Sequence, residues 1–346
     1  MRFQKILILP DAGRENPFQY QMIEFLRDHG FEVSVGEKKK LGSIYKAVNH
    51  FNPEIIYFDW VHSYIIGRTF LWSLIKSFSF VLEIFYLSLI RKIPIIHTLH
   101  NTQNHGGYWL LWERIIYGFF LRRCSKIRVY SETLRQEIIE KSDIPASTVY
   151  IIQDIPYHHY YPNRISKKES RDYFNIPNTN FIFLFFGKIK KYKGLEDLIR
   201  AFENIKKTGD SLFIAGQCLD DNYLKSLKKL TTSSPEIIWH DQFITKVEVQ
   251  FFFNAADVVV LPFTRIDHSG SIDLAMSFSK PVITLKTAAN SELLAYQDYL
   301  LFENSSVLES SMDLVRKMNL EEIGIKNFKK ANSSNYHELL TLFEKV

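Results

Sequence analysis

The segment FFGKIKKYKGLEDLIRAF, residues 185–202, joins a strand-like apolar run, a basic turn and an amphipathic helix pattern. The apolar run ends at Gly187, four lysines follow within the turn, and Gly194 opens the helix. Lysines at the carboxyl end of a strand, beside the amino end of a helix, make a place for a phosphate or diphosphate. A solvated basic turn is the alternative. The two glycines let the backbone approach a ligand closely, so we assign Lys188 and Lys193 to a diphosphate.

A second turn of this kind lies downstream, in DVVVLPFTRIDHSGSIDLAMSFSKPVITL, residues 257–285. A strand ends at Pro262, and a short loop leads into Ser269, Gly270 and Ser271 before the next helical pattern. Serines at a helix start cap the first turn, and the backbone amides there bind anions. The two roles are compatible, because one serine can cap while amides face a ligand. We add these three residues to the predicted diphosphate site.

Strand-like runs alternate with helical patterns on both sides of these turns. KILIL, FEVSV, EIIYF and IPIIHT come before them, and SLFIA, EIIWH and PVITL lie among or after them. This alternation predicts an α/β fold with two mostly parallel sheets, each covered on both faces. The polar stretch HHYYPNRISKKES interrupts it. We therefore predict domains at 1–158 and 159–330 and a C-terminal helix at 331–346, with packing back on the first domain as one option. The cleft between two facing domains is the expected active site.

Composition narrows the function classes. A chain of 346 residues with 46% hydrophobic residues fits about two globular domains. A net charge of +5 is too small to indicate nucleic-acid binding, and two cysteines exclude a disulfide framework. The aromatic content of 15% is high, and many rings lie in residues 64–96. Charged residues interrupt that stretch, so we expect an interfacial helix or a helix packed between a sheet and a neighbour, and no membrane span.

The amino terminus bears on localisation. Its short apolar run, Ile6–Leu9, ends at a proline and an aspartate without a small-residue cleavage pattern. A first buried strand fits this run better than a secretory signal does. We therefore expect a cytoplasmic protein, which would work at the inner face of the membrane if the helix in residues 64–96 is interfacial.

The two turns and their spacing resemble those of the GT-B nucleotide-sugar glycosyltransferases, in particular the GT4-type, or glycosyl transferases group 1. Gly187-Lys188, Lys193-Gly194, SLFIAGQ, FFFNAADVVVLPF and KPVIT carry the resemblance, which is strongest over 181–301. It implies a GT-B fold, with two Rossmann-like, doubly wound domains facing each other across a cleft. It also implies transfer of a hexose from a UDP- or GDP-linked sugar to a saccharide, without metal or other cofactor. A lipid-linked saccharide, as in surface polysaccharide or glycoconjugate synthesis, is the acceptor we weigh first.

The first half offers two catalytic candidates. His100 lies in the run TLHN, Thr98–Asn101, which with His105 resembles a histidine-bearing loop facing the donor sugar. An imidazole there can bind a sugar hydroxyl or act as a base, and a structural histidine is the alternative. Asp11, after the first strand, is the second candidate, with a turn-forming aspartate as its alternative. Asn101 and His105 are assigned to the donor sugar or acceptor.

The resemblance implies further donor contacts, and one departure limits them. The nucleotide and its base are assigned to Gly187, Gly216, Gln242, Phe243 and Ile244, and the sugar or acceptor to Asp267 and His268. Many GT4-type enzymes carry two glutamates near this loop, where alignment on KPVIT places Ile266 and Leu274. The chain is therefore closest to a subgroup with a Ser-Gly-Ser turn. A GT-B nucleotide-sugar epimerase or phosphorylase, or a non-catalytic nucleotide-sugar-binding protein, stays an alternative, and retaining and inverting outcomes are both open.

Overall fold

The computed structural model describes residues 4–13, 16–37, 41–102, 107–265 and 269–344. The chain divides into two compact units. Unit 1 comprises residues 1–155 and 335–346, and unit 2 comprises residues 156–334. The sequence analysis places the corresponding boundaries after residues 158 and 330.

Unit 1 is built on a parallel sheet with six strands among the described residues. The strands are β1 (Lys5–Leu9), β2 (Glu32–Val35), β3 (Ile55–Phe58), β4 (Ile95–Thr98), β5 (Lys126–Val129) and β6 (Val149–Ile151). Their order across the sheet is β2-β1-β3-β4-β5-β6. The central strands are almost wholly apolar and buried, as expected for a parallel sheet covered on both faces. The order reverses between β1 and β3, which makes that point the switch of a doubly wound sheet.

Helices cover both faces of this sheet. They are α1 (Pro17–Asp28), α2 (Ser43–Phe51), α3 (His62–Ile65), α4 (Phe70–Phe85), α5 (Leu110–Leu121) and α6 (Glu132–Ser142). The C-terminal segment, with a 3-10 helix at Tyr336–Leu342, also belongs to unit 1. Phe343 packs against Tyr57 with ring centroids 5.7 Å apart, and Lys126 Nζ donates to the carbonyl of Thr341 at 2.6 Å. The segment therefore joins the core that α1 makes with the sheet.

Helix α4 continues into a π-helical segment, and together they span Phe70–Arg91. By length and composition alone this segment is apolar enough to cross a membrane, so the expectation of no membrane span stays a prediction. Two of its charged side chains turn toward the protein. Glu83 is buried and accepts the backbone N–H of Tyr45 at 2.8 Å, and Lys76 Nζ donates to the carbonyl of Ile66 at 2.7 Å. The outward side of α4 is left mostly apolar as a result.

Unit 2 repeats the architecture, again with six parallel strands among the described residues. They are β7 (Phe181–Phe186), β8 (Asp210–Ala215), β9 (Ile237–His240), β10 (Val258–Leu261), β11 (Val282–Leu285) and β12 (Leu301–Phe302). The helices are α7 (Lys167–Tyr173), α8 (Leu195–Ile205), α9 (Asp221–Leu230), α10 (Val249–Ala255), α11 (Gly270–Ser277), α12 (Ala288–Leu293), α13 (Ser305–Leu314) and α14 (Leu320–Asn332). The strand order β12-β11-β10-β7-β8-β9 puts the switch between β7 and β10. The predicted pair of doubly wound α/β sheets is confirmed.

Candidate functional site

Two glycine turns and the start of α11 meet at the carboxyl edge of the unit 2 sheet. Gly187 follows β7 with φ of 133°, and Gly216 follows β8 with φ of 142°. A Cβ on Gly216 would lie 2.1 Å from the carbonyl oxygen of Gly187, so no side chain fits there. A Cβ on Gly187 would lie 3.2 Å from Ser271 Oγ. The structure thus brings these three predicted donor-site residues together where a doubly wound sheet binds its ligands.

The basic turn is fixed against the end of β10. Gly194 has φ of 68°, and a Cβ on it would lie 1.9 Å from the carbonyl oxygen of Pro262. The N–H of Thr264 donates to the carbonyl of Tyr192 at 3.1 Å. Only glycine combines this backbone conformation with so close an approach. The lysine turn and the loop after β10 are therefore neighbours, although some seventy positions separate them.

Lys193 is the unusual group of this edge. It is buried, and its Nζ lies 4.2 Å from the centroid of the Phe263 ring. Burial, with a smaller contribution from nearby Lys190, lowers its pKa from 10.5 to about 7. No carboxylate among the described residues forms an ion pair with it. A bound anion would favour the charged form of the amine, so this lysine suits a diphosphate. Lys188, from the same loop, is exposed.

The start of α11 shows which of its two serines caps the helix. Ser269 is the N-cap, and its Oγ accepts the N–H of Ser271 at 3.3 Å. Gly270 lies against Tyr157, since a Cβ on it would be 2.8 Å from that hydroxyl oxygen. The sequence analysis did not connect Tyr157 with this turn, because the two lie far apart along the chain.

The residues assigned to the nucleobase lie beside the glycine turns. Gln242 and Phe243 are exposed after β9, whereas Ile244 is buried. The N–H of Gly216 donates to the carbonyl of His240 at 2.9 Å, which joins the turns after β8 and β9. The predicted base-binding residues therefore continue the edge formed by Gly187 and Gly216, and their contact with a base stays a prediction.

In unit 1, His100 lies at the carboxyl edge of the sheet beside an aspartate that sequence reasoning missed. His100 Nε2 is 3.2 Å from Asp59 Oδ1, and Gln19 Nε2 donates to Asp59 Oδ2 at 2.7 Å. The imidazole is stacked on Trp60 with centroids 4.8 Å apart. A signal for Asp59 was present, because it directly follows the strand EIIYF. An aspartate here fixes the orientation of the ring.

The second nitrogen of His100 has a weaker partner. Its Nδ1 lies 3.3 Å from the hydroxyl oxygen of Tyr130, at the long end of the range for such a bond. A substrate hydroxyl could replace that of Tyr130 while Asp59 holds the ring. The ring is only 9% exposed, so the structural alternative has support too, and the catalytic role stays a prediction.

The other unit 1 candidates have local partners. Asp11 Oδ1 accepts the N–H of Gly13 at 2.8 Å and the hydroxyl of Tyr20 at 3.1 Å, which is the turn-forming arrangement. The carbonyl of Asn101 lies 3.0 Å from His62 Nε2. A role for Asp11 in catalysis and for Asn101 at a sugar both stay predictions. His105, Asp267 and His268 lie outside the described residues.

His97 and Asp220 could in principle take part in proton transfer or metal binding, but both make structural hydrogen bonds. His97 is buried between the Phe58 carbonyl and the Tyr117 hydroxyl, and burial lowers its pKa to about 3. Asp220 caps α9 by accepting the N–H of Tyr223. Among the described residues, no three His, Cys, Asp or Glu side chains cluster as metal ligands would.

Comparison with known proteins identifies the unit 2 family. Residues 166–331 match the family model of the glycosyl transferases group 1. A GDP-mannose:glycolipid 4-beta-D-mannosyltransferase from Xanthomonas campestris pv. campestris is 22% identical over 200 residues, covering 58% of this chain and 52% of the relative. The chain spans about half the length of the curated relatives it matches.

Solved structures match both units. Sucrose-phosphate synthase from Thermosynechococcus elongatus has a TM-score of 0.75 at 13% identity, covering 99% of this chain and 97% of that one. HepE of Anabaena in complex with UDP has a TM-score of 0.73 at 15% identity, with all of both chains covered. These likenesses concern the fold, which is GT-B.

Proposed function

Residues 166–331 form a glycosyl transferases group 1 domain, and from this premise we propose that the protein transfers a hexose from a nucleotide-diphosphate sugar to a saccharide acceptor. The match of unit 2 supports the reaction class, and UDP in the HepE structure supports a nucleotide-linked donor. UDP and GDP sugars are both candidates, because the Xanthomonas relative is named for GDP-mannose.

The proposal rests on the buried Lys193 at the switch point of unit 2, which forms no ion pair with a carboxylate of the described residues. Glycosyl transfer breaks the anomeric C–O bond, and negative charge grows on the departing diphosphate. In the proposed reaction Lys193, Lys188 and the amides at the start of α11 stabilise that charge as it develops. In this proposal they supply the positive charge, so transfer needs no metal ion.

The unit 1 edge supplies the groups that handle hydroxyls. His100, oriented by Asp59 at 3.2 Å, would bind a hydroxyl of the sugar or take the proton of the acceptor hydroxyl. Either role requires the long contact with Tyr130 to open. The same pair serves a retaining or an inverting reaction, because both need a hydroxyl held at the reacting carbon.

The acceptor that we propose is a lipid-linked saccharide, as in surface polysaccharide or glycoconjugate synthesis. The glycolipid in the name of the Xanthomonas relative supports this class. A water-soluble nucleotide sugar and a lipid-linked acceptor meet at a membrane surface. We therefore propose a cytoplasmic protein that works at the inner face of the membrane.

A two-stage experiment tests the function. A thermal-shift panel of UDP-, GDP- and dTDP-sugars identifies the donor, since a ligand at 100 times its Kd stabilises by about 2.7 kcal/mol. Release of nucleoside diphosphate from that donor is then followed with and without saccharide or glycolipid acceptors. We expect release only with acceptor and a glycosylated product.

Three other outcomes would overturn the proposal. Stoichiometric conversion of the sugar without acceptor indicates an epimerase. Consumption of donor that depends on inorganic phosphate indicates a phosphorylase. Donor binding without turnover on any saccharide or glycolipid acceptor indicates a non-catalytic binding protein. Dialysis against a chelator tests the metal-independent part, which predicts unchanged turnover.

A further inference from the structure

The outward side of α4 carries an exposed apolar stripe. Leu71, Ile75, Phe78 and Leu82 recur at intervals of three and four residues, so they lie along one side of the helix. Leu71 and Phe78 are 68% and 67% exposed. The π-helical continuation adds the exposed pair Leu89 and Ile90. The opposite side of α4 is buried in the unit 1 core.

Helix α5 extends this stripe into a surface. Leu111 and Ile115 are 79% and 63% exposed on its outward side. The two helices are neighbours, because Trp112 Nε1 donates to Ser77 Oγ at 2.9 Å. Their inward side chains belong to one core cluster, so both helices cover the same sheet face and their outward sides point away from it. We call the eight exposed residues the α4–α5 face. They are Leu71, Ile75, Phe78, Leu82, Leu89, Ile90, Leu111 and Ile115.

The surroundings of the α4–α5 face are mainly basic, although Glu137 lines a groove together with Leu111 and Ile115. Residues 60–131 contain nine Lys or Arg and two acidic residues, Glu83 and Glu113. Both glutamates are buried, whereas basic side chains near the face are exposed. The exposed ones are Arg68, Lys92, Arg114 and Arg122. A second copy of this chain docking through the same patch would bring basic rim against basic rim, which is repulsive. An apolar surface with a basic rim is complementary to an anionic lipid surface.

A cavity of about 530 Å³ lies beside α4, lined by Ile66, Gly67, Arg68, Trp72, Lys76 and Tyr108. Arg68 is exposed, and Lys76 is held by its bond to the Ile66 carbonyl. Trp72 and Tyr108 are amphipathic rings of the kind that lie at the level of lipid headgroups. The cavity therefore offers the guanidinium of Arg68 to a phosphate beside the apolar stripe.

We propose that the α4–α5 face docks on an anionic lipid surface, with a lipid phosphate in the cavity that contains Arg68. Helix α4 then lies in the interfacial plane. A spanning orientation would withdraw Phe80 and Ile84 from the unit 1 core, where both are fully buried. This inference deepens the membrane location and rests on that part of the proposed function, but it needs neither donor nor catalysis.

The test is co-sedimentation of the full chain with vesicles, in the absence of sugar donor. We expect binding to vesicles that contain phosphatidylglycerol, weaker binding at high salt, and little binding to pure phosphatidylcholine. The double substitution Leu71→Glu with Phe78→Glu should lower the vesicle partition coefficient at least about tenfold, because it removes two large apolar contacts. Arg68→Gln should lower it about fivefold, the effect of one basic residue near an anionic surface.

Matched controls come from α14 in unit 2. Ile325 is an exposed apolar residue and Lys330 an exposed cation, so Ile325→Glu and Lys330→Gln should leave partitioning unchanged. Thermal unfolding and the donor-induced shift of each variant show that it is folded. A variant that loses vesicle binding but keeps the donor-induced thermal shift supports the docking surface without bearing on the transferase. The transferase proposal is tested separately, by the donor-induced shift and by turnover.

Four results would overturn the inference. Equal binding to phosphatidylcholine vesicles would show that the basic residues do not contribute. Absence of binding to anionic vesicles at low salt would show that the α4–α5 face does not dock on lipid. Dimers that dissociate on Phe78→Glu would make the face a contact between copies. Membrane association that only detergent reverses would make α4 a spanning helix.

Discussion

The carboxyl edges of the two sheets have the same architecture and opposite chemistry. In unit 1 the strands lead into Asp59, His100 and Tyr130, which bond to one another. In unit 2 they lead into Gly187 and Gly216, with Lys193 nearby in apolar surroundings. Parallel strands supply similar crevices, and the few residues directly after each strand decide what the crevice can bind.

The edges also differ in how far their polar groups are satisfied. In unit 1, Asp59 Oδ2 accepts a hydrogen bond from Gln19 Nε2, and Asp59 Oδ1 lies 3.2 Å from His100 Nε2. In unit 2, the buried amine of Lys193 lies over Phe263, and its charged form is disfavoured until an anion arrives. The described unit 1 groups bond to one another, whereas in the proposed unit 2 site Lys193 would pair with a bound anion. Substitutions in unit 1 should therefore change turnover, and substitutions in unit 2 should change donor affinity.

Replacing His100 should give the largest effect. His100→Ala removes the group that binds or deprotonates a hydroxyl, so we expect kcat to fall about 10³-fold, within the range for a general base. The donor-induced thermal shift should not change. Steady-state kinetics and thermal shift with the same donor measure the two quantities. His50→Ala, an exposed histidine of α2, is the control and should keep full activity. If His100→Ala lowered donor affinity as much as it lowered kcat, the proposed division of roles between the two sheet edges would be wrong.

Replacing Lys193 should weaken donor binding about 30-fold, the cost of about 2 kcal/mol for a hydrogen bond to a charged group. In the native protein, affinity should fall as pH rises through about 7, because the free amine then loses its proton and binding must restore it. Lys193→Met should flatten that dependence. Titration calorimetry on either side of pH 7 measures both effects. Lys191→Met, in the same turn but exposed, is the matched control.

The substitution that weakens donor binding, Lys193→Met, should increase the stability of the protein without donor. The folded pKa of Lys193 is about 7, below the ordinary 10.5 of the unfolded chain. Between these values the unfolded state binds more protons, so the free energy of unfolding contributed by this group rises with pH. At and below pH 7 the buried charge is a cost. Lys193→Met should therefore stabilise the free protein in urea unfolding while it weakens donor binding, and destabilisation would indicate a structural lysine.

The sequence was sufficient for the features that are local. Gly187, Lys193, Gly194 and the Ser-Gly-Ser turn lie where strand ends and helix starts predict them. The Asp59–His100 pair was missed because 41 positions separate its members, and the parallel register of β3 and β4 alone brings them together. Spacing along the chain carries no information on such pairs.

The position of the α4 charges around the helix is a second feature that the sequence analysis did not use. The charges were treated as interruptions of an apolar run, whereas Lys76 and Glu83 are seven residues apart and so share one side of the helix. That side faces unit 1, where both groups find partners. Helical periodicity, applied to the charged as well as to the apolar positions, would have indicated an apolar outward side.

Replacing Asp59 should give the smallest and most discriminating effect. Asp59→Asn keeps the size of the side chain and replaces the carboxylate that orients His100 by an amide, so we expect kcat to fall about tenfold. Steady-state kinetics measures this loss, and thermal unfolding shows whether the variant is as stable as the native protein. A purely structural aspartate would lower activity and thermal stability together. If donor affinity also stays unchanged, Asp59 is a positioning residue of the unit 1 edge, and proton handling and anion binding belong to separate sheets.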